Sequence, residues 1–323
     1  MKEHWPRYTP VVSLDAADVG RLILPIFPGH TIAHVEPVKG GLINTNLKVR
    51  LSRRPGALLL RVYQRGIAPA EKEMAVHRLV GGRVPVPHFL YFCAENPLTG
   101  HPYAILDWIE GFELQAMFAA LAAERRVALG GAIGRMLAAV HRFTFDKFGV
   151  LDADLNVREP IDLDKKGLIA YLEQTFLKGP GGARLGAELS SALLHFAARE
   201  GDILDEWLQQ PCLVHGDFNG SNILLGASKD CRIAAIIDWE YALSATPALD
   251  FGNLLRPPLD ANPEFAAALA EGYREVGGSL PAQWERIARL ADMYAFADIL
   301  SRPATNAVVV ADAKAVITKL ITN

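Results

Sequence analysis

The sequence predicts an α+β protein in which a small antiparallel sheet, within residues 1–110, precedes a larger, mainly helical region over 111–323. Three observations predict it. From Thr31 to Tyr63 the chain reads as strands, and Leu47, Val49 and Leu51 alternate there with polar neighbours at the two-residue period of a half-buried strand. Beyond Gly111 the period changes, and Ile133, Met136, Leu137 and Val140 take the i, i+3, i+4, i+7 spacing of one buried helical face. At 323 residues the chain is long enough for two lobes, each with its own apolar core.

Taken in order, Ala57–Tyr63 is a nearly continuous apolar run and reads as a further strand. Pro69 stands in the first turn of a helix that continues through Val80, and Gly81-Gly82 with Pro85 and Pro87 end it. Strands are expected over His88–Ala94 and Tyr103–Ile109, separated by turn residues Glu95-Asn96-Pro97-Leu98-Thr99-Gly100, with Gly111 closing the second. Further helices are expected over about 164–178, 185–209, 262–277, 281–301 and 307–321. Two apolar strands, Ser221–Leu225 and Arg232–Trp239, interrupt them and are joined by a hairpin turn that begins at Gly226. No internal repeat or low-complexity tract is present.

Composition narrows the function. Half of the residues are apolar and 21% are charged, so the chain lacks the signature of disorder. A formal net charge of -3 gives no basic field for nucleic acid or anionic lipid, and small molecules are the expected partners. Cys93, Cys212 and Cys231 are odd in number and widely spaced, which indicates neither a disulfide framework nor a zinc site and fits a reducing compartment. Met1 to Pro10 holds no apolar signal-peptide core, and no stretch approaches ~18 uninterrupted apolar residues. A cytoplasmic enzyme is expected, with no membrane or nucleic-acid partner.

The most informative segment is His215-Gly216-Asp217-Phe218-Asn219-Gly220-Ser221-Asn222-Ile223-Leu224-Leu225, followed by Ala234-Ala235-Ile236-Ile237-Asp238-Trp239-Glu240. Magnesium takes hard oxygen ligands, and phosphoryl transfer needs one residue to orient the attacking hydroxyl while metal neutralises phosphate charge. Asp217, on a glycine-flanked loop before a strand, suits the base. Asn222 opens that strand and offers a neutral carbonyl oxygen, and Asp238 ends the next strand. A hairpin returns Asn222 and Asp238 to one end of the sheet, where a shared cation offsets the repulsion of nearby carboxylates. Singly, each is an ordinary Asx residue beside glycine that caps a turn or helix. It is the combination that points to a metal cleft.

These motifs resemble those of the aminoglycoside phosphotransferase and choline kinase superfamily over most of the chain, which implies a protein-kinase-like two-lobe fold. The resemblance implies that Asp217 is the catalytic base, that Asn222 and Asp238 hold Mg2+, and that His215 and Asp250 are structural support for the catalytic loop. Trp239 and Glu240 replace the Phe and Gly of the protein-kinase D-F-G motif, so no activation loop is expected. Lys39-Gly40-Gly41-Leu42-Ile43-Asn44-Thr45-Asn46 resembles the nucleotide loop, with Gly40, Gly41, Asn44 and Thr45 beside the phosphates of ATP or GTP. Arg61 stands where protein kinases carry a phosphate-gripping lysine, and Glu73, bordering the apolar helix face of Val76 and Val80, is its partner. Asp107, Trp108 and Ile109 resemble the hinge that reads the adenine edge.

The reading that follows is a magnesium-dependent kinase for a hydroxyl of a small molecule. The alternative is a weak or inactive nucleotide-binding pseudokinase that presents a surface to a protein. The acceptor class stays open between aminoglycosides or sugars and choline, ethanolamine or homoserine-like alcohols. Aromatic and acidic residues around Trp284-Glu285-Arg286, Asp292, Tyr294, Phe296 and Asp298 offer a cationic acceptor one docking site, or are merely the buried and solvated stripes of a helix.

Overall fold

The alternation of side chains along β3 organises the N-terminal lobe. The computed structural model describes residues 5–96, 98–227, 232–303 and 305–322; Pro97, Cys231 and most of the 226–232 turn lie outside the described residues. The first lobe contains α1 (Ala16–Ile23), β1 (Ile32–Pro37), β2 (Thr45–Leu51), β3 (Leu58–Val62), α2 (Ile67–Val80), β4 (Phe89–Cys93) and β5 (Tyr103–Asp107). The five strands form one antiparallel sheet in the order β1-β2-β3-β5-β4. Leu58, Leu60 and Val62 pack on one face with Val19, Leu22 and Ile23 of α1. Tyr63 and Leu59 pack on the other face with Ala70 of α2. Both faces are covered, which is why this strand reads as a continuous apolar run, and the two-residue period sends Arg61 towards α2. Helix α1 escaped the sequence reading, although Asp15 and Asp18 cap each other's backbone N–H in a capping box.

The second lobe begins with β6 (Gly111–Glu113), α3 (Leu114–Met117), α4 (Ala123–Val140), β7 (Gly149–Leu151) and β8 (Val157–Pro160). It continues with α5 (Lys165–Glu173), α6 (Gly181–Leu185), α7 (Ala187–Glu200), β9 (Cys212–Val214), β10 (Ile223–Gly226), β11 (Ile233–Ile236) and β12 (Leu243–Ala245). Helices α8 (Ala248–Leu254), α9 (Pro263–Glu275), α10 (Trp284–Ala291), α11 (Met293–Ser301) and α12 (Ala307–Thr322) complete it. One large core joins these helices, and Val76 and Val80 of α2 reach into it from the first lobe. Helices α4 and α9 cross at close range, since a Cβ on Gly134 would stand 2.1 Å from the Leu269 carbonyl oxygen.

Several expected spans are corrected. The strand beginning at Tyr103 stops at Asp107, and the helix expected to 178 changes to a π-helical turn over Gln174–Lys178. The helix expected to 209 ends at Glu200 and passes into a 3-10 segment, Gly201–Trp207. Asp292 interrupts the long C-terminal helix because its carboxylate is drawn inside by Arg256. Strands β8-β7-β12-β9 form a further sheet that the sequence reading missed, because runs of three or four residues are too short to show a period.

Candidate active site

The hairpin of β10 and β11 pairs Ile223 with Ile236, and the Ile237 N–H donates to the Asn222 carbonyl at 3.0 Å. Asn222 and Asp238 therefore stand together at one end. Asp238 takes a left-handed backbone conformation, φ 70 and ψ 54, which costs an L-residue on the order of 1 kcal/mol and is least unfavourable for Asp or Asn. Its carboxylate is one third exposed, at 32%.

The loop from His215 to Ser221 is held from beneath. The fully buried Asp250, in the first turn of α8, accepts the backbone N–H of His215 at 2.8 Å and of Gly216 at 3.0 Å. His141 Nε2 lies 3.3 Å from the same carboxylate, and its Nδ1 lies 3.0 Å from the Tyr273 hydroxyl. Gly216 has φ +76, and a Cβ there would stand 2.4 Å from the Tyr241 carbonyl oxygen, so no other residue fits. His215 Nε2–H donates to the Ile237 carbonyl at 2.9 Å, which leaves Nδ1 to accept the Asp217 N–H at 3.3 Å. The Trp239 ring packs 4.5 Å from that imidazole. Loop and hairpin are thereby joined.

Asp217 is oriented by two amides. Asn219 Nδ2 donates to Oδ1 at 2.9 Å, and Asn222 Nδ2 donates to Oδ2 at 3.0 Å and to the Asp217 carbonyl at 2.8 Å. With its nitrogen so committed, Asn222 keeps its side-chain oxygen for another partner. Asn219 was not singled out in the sequence, where it reads as one more turn Asx residue.

Across the cleft, Arg61 pairs with Asp238 and lies 3.5 Å from Glu73, which is 1% exposed. The Tyr63 hydroxyl donates to Glu73 at 2.8 Å. Burial opposes the charge on Arg61, but Glu73 and then Asp238 outweigh it and hold the guanidinium firmly protonated. Two further charged groups enter here that sequence reasoning missed. Burial, reinforced by Asp238, pushes Glu240 up to about 7, and Asn44 Nδ2 donates to it at 3.3 Å. Burial lowers Lys72 to about 8, and its ammonium donates to the Ala242 carbonyl at 3.0 Å.

Gly40 turns at φ +96, a conformation that favours glycine, and the loop around it is gripped by Arg7. That guanidinium donates to the Gly41 carbonyl, to the Ile43 carbonyl at 2.8 Å and to the Asn44 carbonyl at 3.1 Å. Asn44 and Thr45 are buried, and their side chains face protein groups: the Asn44 oxygen accepts from Gln64 N at 3.3 Å, and the Thr45 hydroxyl contacts Val12 N at 2.9 Å and Gln64 Oε1 at 2.8 Å. They brace the turn that presents Gly40 and Gly41. At the hinge, the Asp107 carboxylate is taken by Arg54 at 3.2 Å and His88 at 3.3 Å, and Trp108 N–H donates to Ala57 O at 3.2 Å. The Asp107 N–H donates to the His88 carbonyl at 3.1 Å. The structure thus gathers Asp217, Asn222, Asp238, Arg61 and Glu73, with His215 and Asp250 beneath them.

Of the two readings of the C-terminal aromatic and acidic residues, the buried and solvated stripes of a helix hold, and a docking site for a cation does not. Trp284 and Phe296 are core residues, Asp292 is bound by Arg256 at 2.8 and 2.5 Å, and Asp298 is bound by Arg302.

Residues 34–290 match the model of the phosphotransferase enzyme family. The chain belongs to that family. This phosphotransferase superposes on aminoglycoside phosphotransferase APH(4)-Ia with a TM-score of 0.68 at 18% identity, covering 95% of this chain and 99% of that one. The GDP and kanamycin complex of APH(2")-IIia matches with a TM-score of 0.71 at 18% identity, over 94% and 98%. A thermostable mutant of APH(4)-Ia in ternary complex with ADP and hygromycin B matches with 0.66 at 20% identity, over 94% and 98%. The kinase-like α+β fold is thereby established. Among curated proteins, acyl-CoA dehydrogenase family member 11 of Rattus norvegicus is 24% identical over 215 residues, which are 62% of this chain and 24% of that protein. Family member 10 of Mus musculus is 27% identical over 225 residues, 65% of this chain and 19% of that protein. This phosphotransferase spans about a quarter or less of the length of these relatives.

Proposed function

We propose that this phosphotransferase moves the γ-phosphoryl group of ATP or GTP onto a hydroxyl of a small molecule. The observation that carries the reading is the Asp217 carboxylate, fixed at both oxygens by Asn219 and Asn222, beside a hairpin end that brings Asn222 and Asp238 together. Solved relatives of the same fold hold ADP or GDP with an aminoglycoside, which supports a nucleotide and a small acceptor here.

In this mechanism Asp217 orients the acceptor hydroxyl and takes its proton as the oxygen bonds to the γ-phosphorus and the bond to the β–γ bridging oxygen breaks. Asn219 and Asn222 keep the carboxylate in place, and Asp250 keeps the loop under it. Arg61, held by Glu73, contacts the α- and β-phosphates as a planar fork. Backbone groups at Gly40 and Gly41 approach the phosphates, and the Asp107 carbonyl and the backbone of Ile109 face the base. Asn222 and Asp238 would hold a magnesium ion through one neutral and one charged oxygen, the hard donors that such an ion takes. When bound, the ion neutralises the charge of the transferring group.

A cytoplasmic site of action belongs to the same proposal and is supported by the unpaired thiols of Cys93 and Cys212. The test is ADP release with magnesium and ATP or GTP against aminoglycosides, choline, homoserine, amino sugars and hydroxy acids, with Asp217→Asn as control. Nucleotide-dependent turnover abolished in the control is the expected result. Absence of MgATP and MgGTP binding at millimolar concentration overturns the reading.

A further inference from the structure

Tyr241, three residues beyond Asp238, has a guanidinium against its ring from each of two elements. Arg65 lies 5.2 Å from its centroid and Arg302 5.4 Å, and Arg302 also lies 5.7 Å from the Tyr8 ring. The Tyr241 carbonyl oxygen would stand 2.4 Å from a Cβ on Gly216, so this cationic and aromatic cluster adjoins the loop that carries Asp217.

Arg302 is built as a recognition group. Asp298, four residues earlier, accepts from Nε at 3.0 Å and from Nη2 at 2.5 Å, which fixes one edge of the fork while the tyrosines cover its face. A guanidinium already immobilised in this way loses little entropy on binding, and its outer N–H groups match the paired oxygens of a carboxylate or phosphate. Arg302 keeps 26% of its side chain exposed. Arg65 is exposed and has no carboxylate within ion-pair distance among the described residues. The Tyr8 hydroxyl is buried, and its ring lies 5.7 Å from the Arg302 guanidinium.

The signs of the charges decide what this cluster attracts. A polyamine needs free carboxylates, yet Asp292 is spent on Arg256 and Asp298 on Arg302. Asp298 already balances Arg302, so Arg65 supplies the positive charge on the other side of the ring. Tyr171, tilted against Tyr294 at 5.6 Å, adds an aromatic neighbour to the Arg302–Asp298 pair.

We propose that the acceptor is an alcohol bearing an anionic group, carboxylate or phosphate, which Arg302 and Arg65 hold across Tyr241 while its hydroxyl meets Asp217. The proposal rests on the kinase reading and names the substrate class of that same site.

The experiment uses the full chain with MgATP and sets of alcohols that share one carbon skeleton and end in carboxylate, phosphate ester, amide or amine, together with kanamycin and choline. The expected kcat/KM for an anionic alcohol exceeds that of its amide and amine by at least about tenfold, the worth of one charge-assisted contact. The carboxylate and phosphate arms identify which anion is meant. Arg302→Gln and Arg65→Gln each remove about tenfold of that preference through KM, while KM for ATP stays within about twofold. Arg65 is exposed, so its variant reports on recognition even where Arg302→Gln folds poorly. If an amine, kanamycin or choline outpaces every anionic alcohol, or no anionic alcohol turns over while MgATP binds, the inference is overturned and the kinase reading stands. If MgATP does not bind, both fall.

Discussion

Arg61 on β3 and Asp238 beyond β11 are 177 residues apart in the chain and form a direct ion pair across the cleft. The same guanidinium neutralises the buried Glu73, so in the proposed reaction nucleotide contact and lobe stability share one side chain. Arg61→Met strands Glu73 and is expected to destabilise the protein by about 3 kcal/mol. MgATP affinity should fall at least about tenfold. Arg61→Met combined with Glu73→Gln should recover most of the stability and none of the affinity. Urea unfolding and calorimetric titration separate the two effects; a single variant that unfolds like wild type would count against the shared role.

Asp217→Asn removes the proton acceptor and leaves the nucleotide half intact. The expected loss in kcat is about 10³, with the Kd for MgATP within about twofold of wild type. A fall of less than tenfold in single-turnover kcat would remove Asp217 from the base role.

Asp250→Asn replaces one of two acceptors under the loop with a donor that faces another donor. Stability should drop by about 2–4 kcal/mol, and amide exchange at His215 and Gly216 should accelerate more than at the β5 amides. Equal acceleration everywhere would mean global loosening instead of a local brace.

His77 supplies a pH signature. Burial holds its imidazole below the ordinary 6.5, against the pull of Glu73, so the unfolded chain binds a proton that the folded one resists. Stability is therefore full above pH 6.5 and declines as pH falls from 6.5 towards the lower folded value. His77→Phe lacks this penalty, so the Tm gap between wild type and variant should narrow between pH 7.5 and 5.5; a gap of constant size argues against it.

The grouping of Asp217, Asn222 and Asp238 was legible because they lie within 22 positions of one another, on and just before a hairpin whose apolar strands are readable. Glu73 was legible through its spacing to Val76 and Val80, both fully buried. What escaped depended on contacts distant in sequence. Arg7 acts on a loop 34 residues away and carries no local pattern. His141 gains its meaning only from Asp250, 109 residues on. Glu240 reads only as the residue in place of the D-F-G glycine, and the fold shows it buried beside Asn44. The acidic residues of the C-terminal helices suggested a site for cations because their arginine partners, Arg256 and Arg302, are invisible to periodicity.

Trp5 is wedged among Ile299 and Val309 of the second lobe and Leu42 of the Gly40 loop, and its indole N–H donates to Asp312 at 2.7 Å. Two residues later, Arg7 is fastened to that loop from the first lobe. A short strap thus ties helices α11 and α12 of the second lobe to the Gly40 loop of the first. Parting the two lobes there would strain either the hold of Trp5 or that of Arg7, so a segment outside both cores helps to set the spacing between them.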